Sequence, residues 1–365
     1  MKKKIAIIGA TGSIGKNTLD VITQGKDDFE VVLLSAHNDR EGLDKASRLF
    51  PNAVKILSGE PGGKQRLLDA ILSCGADIAI NGISGAAGLE PSLAVINSGS
   101  DLALANKETM VMAGPLINKK AEEKNVKIIP VDSEHSAIFH LLAKQEKDSL
   151  EEIILTASGG PFLDTPVDEL KKVKTEAALA HPTWNMGRKI SIDSATMANK
   201  GLEVIEAVFL FRLPPEKIKV LIHRQSIVHA MVRMKDGVVY AQLSKPDMRL
   251  PIHKAIYWPQ TIQSGFGHLG FDNPLSLTFC PADLEKFPML ALAYQAVRYG
   301  GLYPCAYNAA NETAVNLFLI GHIGFLDIER ITRYVLDMDW SSEAKDIESI
   351  LEADRKASEI AKGIR

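Results

Sequence analysis

Cysteine is scarce: Cys74, Cys280 and Cys305 are the only three in 365 residues. Odd in number and widely spaced, they form neither a disulfide framework nor a zinc pattern, which fits a reducing cytoplasm. Long apolar runs are absent, so no stretch approaches the length of a membrane span. An excess of one charge is also missing. A net charge of −3 gives no electrostatic case for binding nucleic acid or an anionic membrane. The opening "MKKKIAIIGATG" imitates a secretion signal only briefly, because its apolar run stops at Gly9 and no small-residue cleavage site follows; it reads as a strand. There is no internal repeat and no low-complexity tract. What remains is a soluble globular chain, 46% hydrophobic and 24% charged, long enough for two or three domains.

The first third alternates short apolar runs ("KKIAIIGA", "FEVVLLSAH", "ADIAING", "DLALAN", "VKIIPVD") with helically spaced segments. That alternation predicts an α/β fold: an N-terminal Rossmann-type doubly wound parallel sheet over residues 1–130. After about residue 150, "EEIILTASGG", "IKVLIHR", "SIVHAMVRMKDG" and "VVYAQLS" read as strands, the last two joined at a Lys-Asp-Gly turn. They predict a central, antiparallel α+β domain over residues 131–257. Residues 258–283, rich in Gly and Pro, read as an ordered linker, and 284–365 as a C-terminal helical bundle.

"GATGSIG" sets Gly9, Gly12 and Gly15 between the first strand and the first helix. Such a turn lets the backbone approach a pyrophosphate, whose charge then sits on the helix N-terminus. The G-x-x-G-x-x-G spacing is weak alone, but its place in a βαβ unit points to a dinucleotide. An NAD binder usually ends the second strand on Asp or Glu. Ser35, Ala36, His37 and Asn38 stand there instead, with Arg40 just beyond, which favours the 2′-phosphate of NADP; the alternative is that His37 and Arg40 are ordinary loop residues.

"KIIPVDSEHSAIF" ends an apolar strand on Asp132, Ser133 and Glu134. Either these residues cap a helix, with Glu134 complementing its dipole, or they are half of a metal site lacking a third oxygen ligand. Downstream, "ISIDSATMANKGLEVIEAVFLF" places Glu203 and Glu206 on neighbouring helix positions, with Asn199 and Lys200 a turn earlier. Two glutamates on an amphipathic helix ordinarily form its solvated face. "LTASGGPF" ends a strand on Ser158-Gly159-Gly160, a turn able to hold an anion. "AHPTWNMGRK" reads as a loop able to cover a site, or as a surface loop with a chance tryptophan.

Taken in order, "GATGSIG", "ANKE", "VDSEHSAIF", "ASGGPF", "HPTWNMG", "SIDSATMANKGLEVIEA", "LIHRQSIVHAMV", "KPDMRLPI" and "NAANE" cover nearly the whole chain. On these motifs the sequence resembles the 1-deoxy-D-xylulose-5-phosphate reductoisomerase family. The resemblance implies NADPH-dependent, divalent-metal-dependent rearrangement and reduction of 1-deoxy-D-xylulose 5-phosphate to 2-C-methyl-D-erythritol 4-phosphate, a step of isoprenoid precursor synthesis. It implies Mg²⁺ or Mn²⁺, with Co²⁺ a further candidate, held by Asp132, Glu134 and Glu203. Ser133 would touch the substrate and Lys107 its oxygens near the metal. Ser158, Ser194, Asn199 and Lys200 would hold the phosphate, with His181 on the same side. Trp184 and Met186 would belong to a closing flap. Thr11, Gly12, Ser13 and Ile14 would cradle the pyrophosphate; Ala36, His37 and Asn38 would line the ribose end; Asn106, Glu108 and Gly187 would face the cofactor. The family often carries Lys or Arg where His37 stands, so the NADP preference rests on weaker chemistry there. A phosphosugar substrate, a homodimer and sensitivity to phosphonohydroxamates such as fosmidomycin are also implied, and the cysteine usage adds a cytoplasmic location. A semialdehyde dehydrogenase would need a cysteine nucleophile after the dinucleotide fold, and residues 131–270 contain none. A catalytically dead NADP-binding sensor would be expected to lose carboxylates or the phosphate set, and all are present.

Overall fold

The computed structural model describes residues 2–143, 145–180, 183–184 and 186–364. The chain divides into two compact units. One comprises residues 1–109, 117–140 and 247–268, and the other residues 110–116, 141–246 and 269–365.

In the first unit, strands β1 (Lys3–Ile8), β2 (Phe29–Ala36), β3 (Val54–Leu57), β4 (Ile78–Asn81), β5 (Asp101–Leu104) and β6 (Ile128–Pro130) alternate with α1 (Ser13–Gln24), α2 (Arg40–Leu49), α3 (Gly63–Ser73), α4 (Leu89–Ser98) and α5 (Lys107–Lys124). The sheet is all parallel, in the order β3-β2-β1-β4-β5-β6. This is the Rossmann order, whose direction of winding reverses between β1 and β4, where the strand ends open a crevice. Ile5, Ile7, Leu34, Ile78, Ile80 and Ile129 fill its core, as the continuous apolar runs predict for strands covered on both faces. α6 (Ser133–Leu142) starts directly after β6.

In the second unit, β7 (Leu150–Ala157) leads through α7 (Val167–Leu170), α8 (Thr175–Leu179), α9 (Arg188–Ala195) and α10 (Ala198–Phe211) to β8 (Ile218–Ile222), β9 (Val228–Met234) and β10 (Val239–Leu243). The hairpin β9–β10 turns at Lys235-Asp236-Gly237, with Gly237 at φ +89°. The sheet is mixed, which corrects the antiparallel expectation: β7 and β8 run parallel, in the order β10-β9-β7-β8-β11. Four helices between β7 and β8 carry the chain back to its starting end, so the second strand repeats the direction of the first.

α11 (Arg249–Tyr257) belongs to the first unit. Its Ile252, Ala255 and Ile256 join that core, Arg249 reaches Asp20 (2.8 Å) and the Tyr257 hydroxyl donates to Asp28 (2.7 Å). β11 (Cys280–Pro281) then adds to the edge of the second sheet at β8. The chain ends in α12 (Pro288–Tyr299), α13 (Tyr303–Leu319), α14 (Asp327–Leu336) and α15 (Ile347–Gly363).

Candidate active site

The glycine turn has the sterics of a close-approach site. Gly9 sits at φ +88°, and a Cβ there would lie 3.1 Å from the Gly82 carbonyl carbon at the β4 end. A Cβ on Gly15 would lie 2.3 Å from the Gly9 oxygen, so α1 is seated on the turn. Gly12, where a Cβ would make only an ordinary 3.5 Å contact with the Gly9 oxygen, is the N-cap of α1, with no side-chain cap and no acidic residue in the first turn. Gly12 and Ser13 are exposed and Thr11 and Ile14 half-buried, so the positive end of α1 faces outward, where an anion can meet it.

At the end of β2, Ala36 is buried and His37 and Asn38 are exposed. The nearest carboxylate, Asp39, accepts from the Gly42 N–H (2.8 Å) as the N-cap of α2, so a local structural role accounts for it. His37 Nδ1 lies 3.2 Å from the Ser58 hydroxyl.

Asn106 caps α5, accepting from the Thr109 N–H (3.0 Å). Its amide also donates to the Ile83 and Gly85 carbonyls (2.8 and 2.9 Å) and to Glu108 (2.9 Å). This buried residue ties the loop after β4 to the start of α5 and so fixes the next residue, Lys107. Lys107 is itself buried, with Nζ 2.7 Å from Asp132 Oδ2. Asp132 precedes α6, and its carbonyl accepts the first helical bond from the Ser136 N–H (2.8 Å). The Ser133 hydroxyl donates to Glu134 Oε2 (2.5 Å). A helix therefore begins here, as the first reading of this stretch expects, and the Asp132 carboxylate is directed at the Lys107 ammonium.

In the second unit, Ser158, Gly159 and Gly160 turn the chain at the end of β7, with both glycines at positive φ and the Gly160 N–H 3.3 Å from the Ser158 hydroxyl. A Cβ on Gly160 would lie 2.6 Å from the Ser194 carbonyl oxygen, so this loop lies against the end of α9. Met197 (φ +62°) breaks the helix there and α10 begins in a new direction, with Ser194 on one side of the corner and Asn199 and Lys200 on the other. One turn on, Glu203 accepts from Asn199 Nδ2 (2.7 Å) and from Lys200 Nζ (2.5 Å); its exposure is 1%. Glu206 is also 1% exposed, so the solvated-face expectation fails: α10 is buried along most of its length. Under the corner, buried Asp193 accepts from Asn311 Nδ2 (2.8 Å) and lies 3.1 Å from Lys189 Nζ. Neither Asp193 nor Asn311 was flagged by its motif, since the pairing spans 118 residues. Trp184 and Met186 are half-buried and Gly187 is the extended N-cap of α9; His181 and Asn185 lie outside the described residues.

A Rossmann unit with an uncapped glycine turn, joined to a unit whose buried lysine and carboxylate and half-buried hydroxyl groups gather around one corner, defines a dinucleotide-binding oxidoreductase architecture with a polar catalytic unit. Family models described as 1-deoxy-D-xylulose 5-phosphate reductoisomerase match residues 5–61 and 53–114, its C-terminal domain residues 128–211, and the DXP reductoisomerase C-terminal domain residues 243–360. Among curated relatives so named, that of Treponema denticola is 47% identical, covering 99% of this chain and 96% of the relative. That of Chlorobium chlorochromatii is 46% identical over 99% of both. The Zymomonas mobilis enzyme in complex with NADPH superposes with a TM-score of 0.92 at 39% identity, covering 99% of this chain and 98% of that one. A DOX-P reductoisomerase in complex with NADPH, fosmidomycin and magnesium gives 0.88 at 36%, over 99% and 97%. The chain belongs to the 1-deoxy-D-xylulose 5-phosphate reductoisomerase family.

Proposed function

We propose that this protein converts 1-deoxy-D-xylulose 5-phosphate to 2-C-methyl-D-erythritol 4-phosphate with NADPH and a divalent cation. The observation that carries the reading is that two ion pairs on buried lysines, Lys107–Asp132 and Lys200–Glu203, fall within stretches matched by the family models. Buried ion pairs are weak devices for stability, which favours a chemical reason for keeping them.

Asp132, Glu134 and Glu203 are the cation's ligands in this reading. An all-oxygen set fits hard Mg²⁺ or Mn²⁺, and the lysines now beside Asp132 and Glu203 meet the same negative charge. When bound, the cation supplies Lewis-acid polarisation of the substrate oxygens and NADPH supplies hydride. Lys107 orients the substrate's oxygens and Ser133 touches it between two ligand residues. Ser158, Ser194, Asn199, Lys200 and His181 hold the phosphate, so both fragments of the rearranging skeleton stay in place. Trp184 and Met186 belong to a flap that closes over the substrate and excludes water. The glycine turn with Thr11, Gly12, Ser13 and Ile14 takes the pyrophosphate. Ala36, His37, Asn38, Asn106, Glu108 and Gly187 line the rest of the cofactor's path.

A homodimer is part of the same reading. β10 is an edge strand whose Val239, Tyr240 and Leu243 are exposed, a surface suited to a second copy. Among the described residues no helix is long and apolar enough to cross a membrane, and all three cysteines are free, in keeping with a reducing compartment. The test is loss of nicotinamide absorbance with deoxyxylulose phosphate, before and after chelation and on return of Mg²⁺ or Mn²⁺. Turnover indifferent to chelation would reject the metal assignment; no turnover with any cation would reject the function.

A further inference from the structure

The end of β2 leaves one question open: what recognises a 2′-phosphate where the family often has Lys or Arg and this chain has His37. The neighbouring strand end supplies candidates. β2 and β3 remain side by side past their last residues, the Ser58 N–H donating to the Ala36 carbonyl and the Gly59 N–H to the His37 carbonyl (both 2.9 Å). A Cβ on Gly59 would lie 2.9 Å from the His37 carbonyl oxygen, so a side chain there would push the β3 end away from the β2 end. This approach puts the Ser58 hydroxyl beside His37 and brings Glu60 to the start of α2. There one carboxylate holds two guanidiniums: Glu60 Oε1 accepts from Arg40 Nη2, and Oε2 from Arg66 Nη2 (3.0 Å). Arg66 is further fixed by donating from Nη1 to the Pro61 carbonyl (2.8 Å). The Arg40, Arg66 and Glu60 side chains are 68%, 48% and 40% exposed, so a solute can reach all three.

Exposed ion pairs add little to stability, and the fold does not need this one. Chemically, a lone carboxylate between two arginines occupies the place of a tetrahedral dianion, and guanidiniums are the side chains suited to grip a phosphate. We propose that Arg40, Arg66 and Ser58 form the recognition site for the cofactor's 2′-phosphate, and that Glu60 is an internal competitor for the same two guanidiniums. The proposal rests on the NADPH reading above and names the residues that give it specificity. Glu60 thereby moderates an affinity that two unopposed arginines would set higher.

Calorimetric titration of the full chain with adenosine 2′,5′-bisphosphate and with adenosine 5′-phosphate tests this without turnover. The parent should bind the bisphosphate more tightly. Arg40→Ala and Arg66→Ala should each weaken the bisphosphate roughly tenfold, the size of one lost charge-assisted hydrogen bond, and leave the monophosphate unchanged. Glu60→Gln should tighten the bisphosphate about threefold or more and again spare the monophosphate, as expected for removal of a weak exposed competitor. If the parent prefers the bisphosphate but both arginine variants keep that preference, the site is elsewhere and the proposal falls while the NADPH reading stands. Weaker or unchanged bisphosphate binding by Glu60→Gln overturns the competitor role. A parent indifferent to the 2′-phosphate overturns the NADPH reading itself.

Discussion

Replacing Glu203 by Gln changes one atom's chemistry in a buried, crowded place, and its consequences separate into two energies. The first concerns the protein alone. Glu203 is 1% exposed and holds Lys200 at 2.5 Å and Asn199 at 2.7 Å. Gln keeps the shape and a carbonyl for Asn199, but Lys200 loses that carboxylate while remaining buried. Disrupting a buried pair from one side commonly costs about 3–5 kcal/mol. A domain of ordinary stability, about 5–15 kcal/mol, survives this in weakened form. The second energy concerns the reaction. Loss of a negative ligand that helps hold the cation should lower turnover at least about 10²-fold, roughly 3 kcal/mol of transition-state stabilisation. If, as proposed, one cation held by Glu203 serves both steps, the loss should appear with deoxyxylulose phosphate and also with added 2-C-methylerythrose 4-phosphate. NADPH binding, followed by fluorescence, should persist, since the glycine turn belongs to the other unit. Adding Lys200→Met to the variant separates the two energies: the denaturation midpoint should recover in part, because the buried cation is gone, while turnover stays low. Glu206 is no neutral control, being as buried as Glu203. Reduction of the preformed aldehyde at the parental rate would refute the single-cation account.

Gly160→Ala forces an L side chain into φ +69° with its Cβ 2.6 Å from the Ser194 oxygen; about 1–3 kcal/mol of strain should raise the KM for deoxyxylulose phosphate and spare that for NADPH, as steady-state kinetics would show. Asn311→Leu removes the 2.8 Å donor to buried Asp193 and should lower the urea unfolding free energy by about 1–3 kcal/mol; an unchanged midpoint would contradict that role. Burial, and secondarily the charge of Lys254, holds His140 down to about 4 from its ordinary 6.5. The unfolded chain then takes up this proton first, so stability falls as pH drops from about 6.5 toward 4, by on the order of 1–2 kcal/mol once partial exposure is discounted. Denaturation of His140→Gln across that window should lack this component. Fosmidomycin should change tryptophan emission, and Trp184→Phe should remove most of that change; Trp340 is buried and bonded to the Val335 carbonyl, so an undiminished change in the variant would displace the flap assignment.

Local chemistry carried the sequence reading a long way. Continuous apolar runs alternating with helical periodicity identify a two-sided parallel sheet, Gly9, Gly12 and Gly15 mark the turn at its switch point, and Lys-Asp-Gly marks the β9–β10 hairpin. Each is a short-range signal, set by backbone freedom or by the face a side chain must bury. Asp132, Glu134, Glu203 and the phosphate-loop residues were legible as motif members, but their partners were not. That Asp132 faces Lys107, that Glu206 is buried, that Asp39 is taken up by a helix cap and that Arg40 shares Glu60 with Arg66 are outcomes of packing. So is the return of α11 to the first unit: residues 252–256 look like any amphipathic helix until that unit's apolar core takes them in. The parallel direction of β8 likewise follows from where four helices deliver the chain, and Asp193 meets Asn311 across 118 residues. A residue's own neighbourhood in sequence sets its conformational preference, whereas the group that neutralises its charge or covers its surface is chosen by the tertiary fold, because burial removes the water that would otherwise have served.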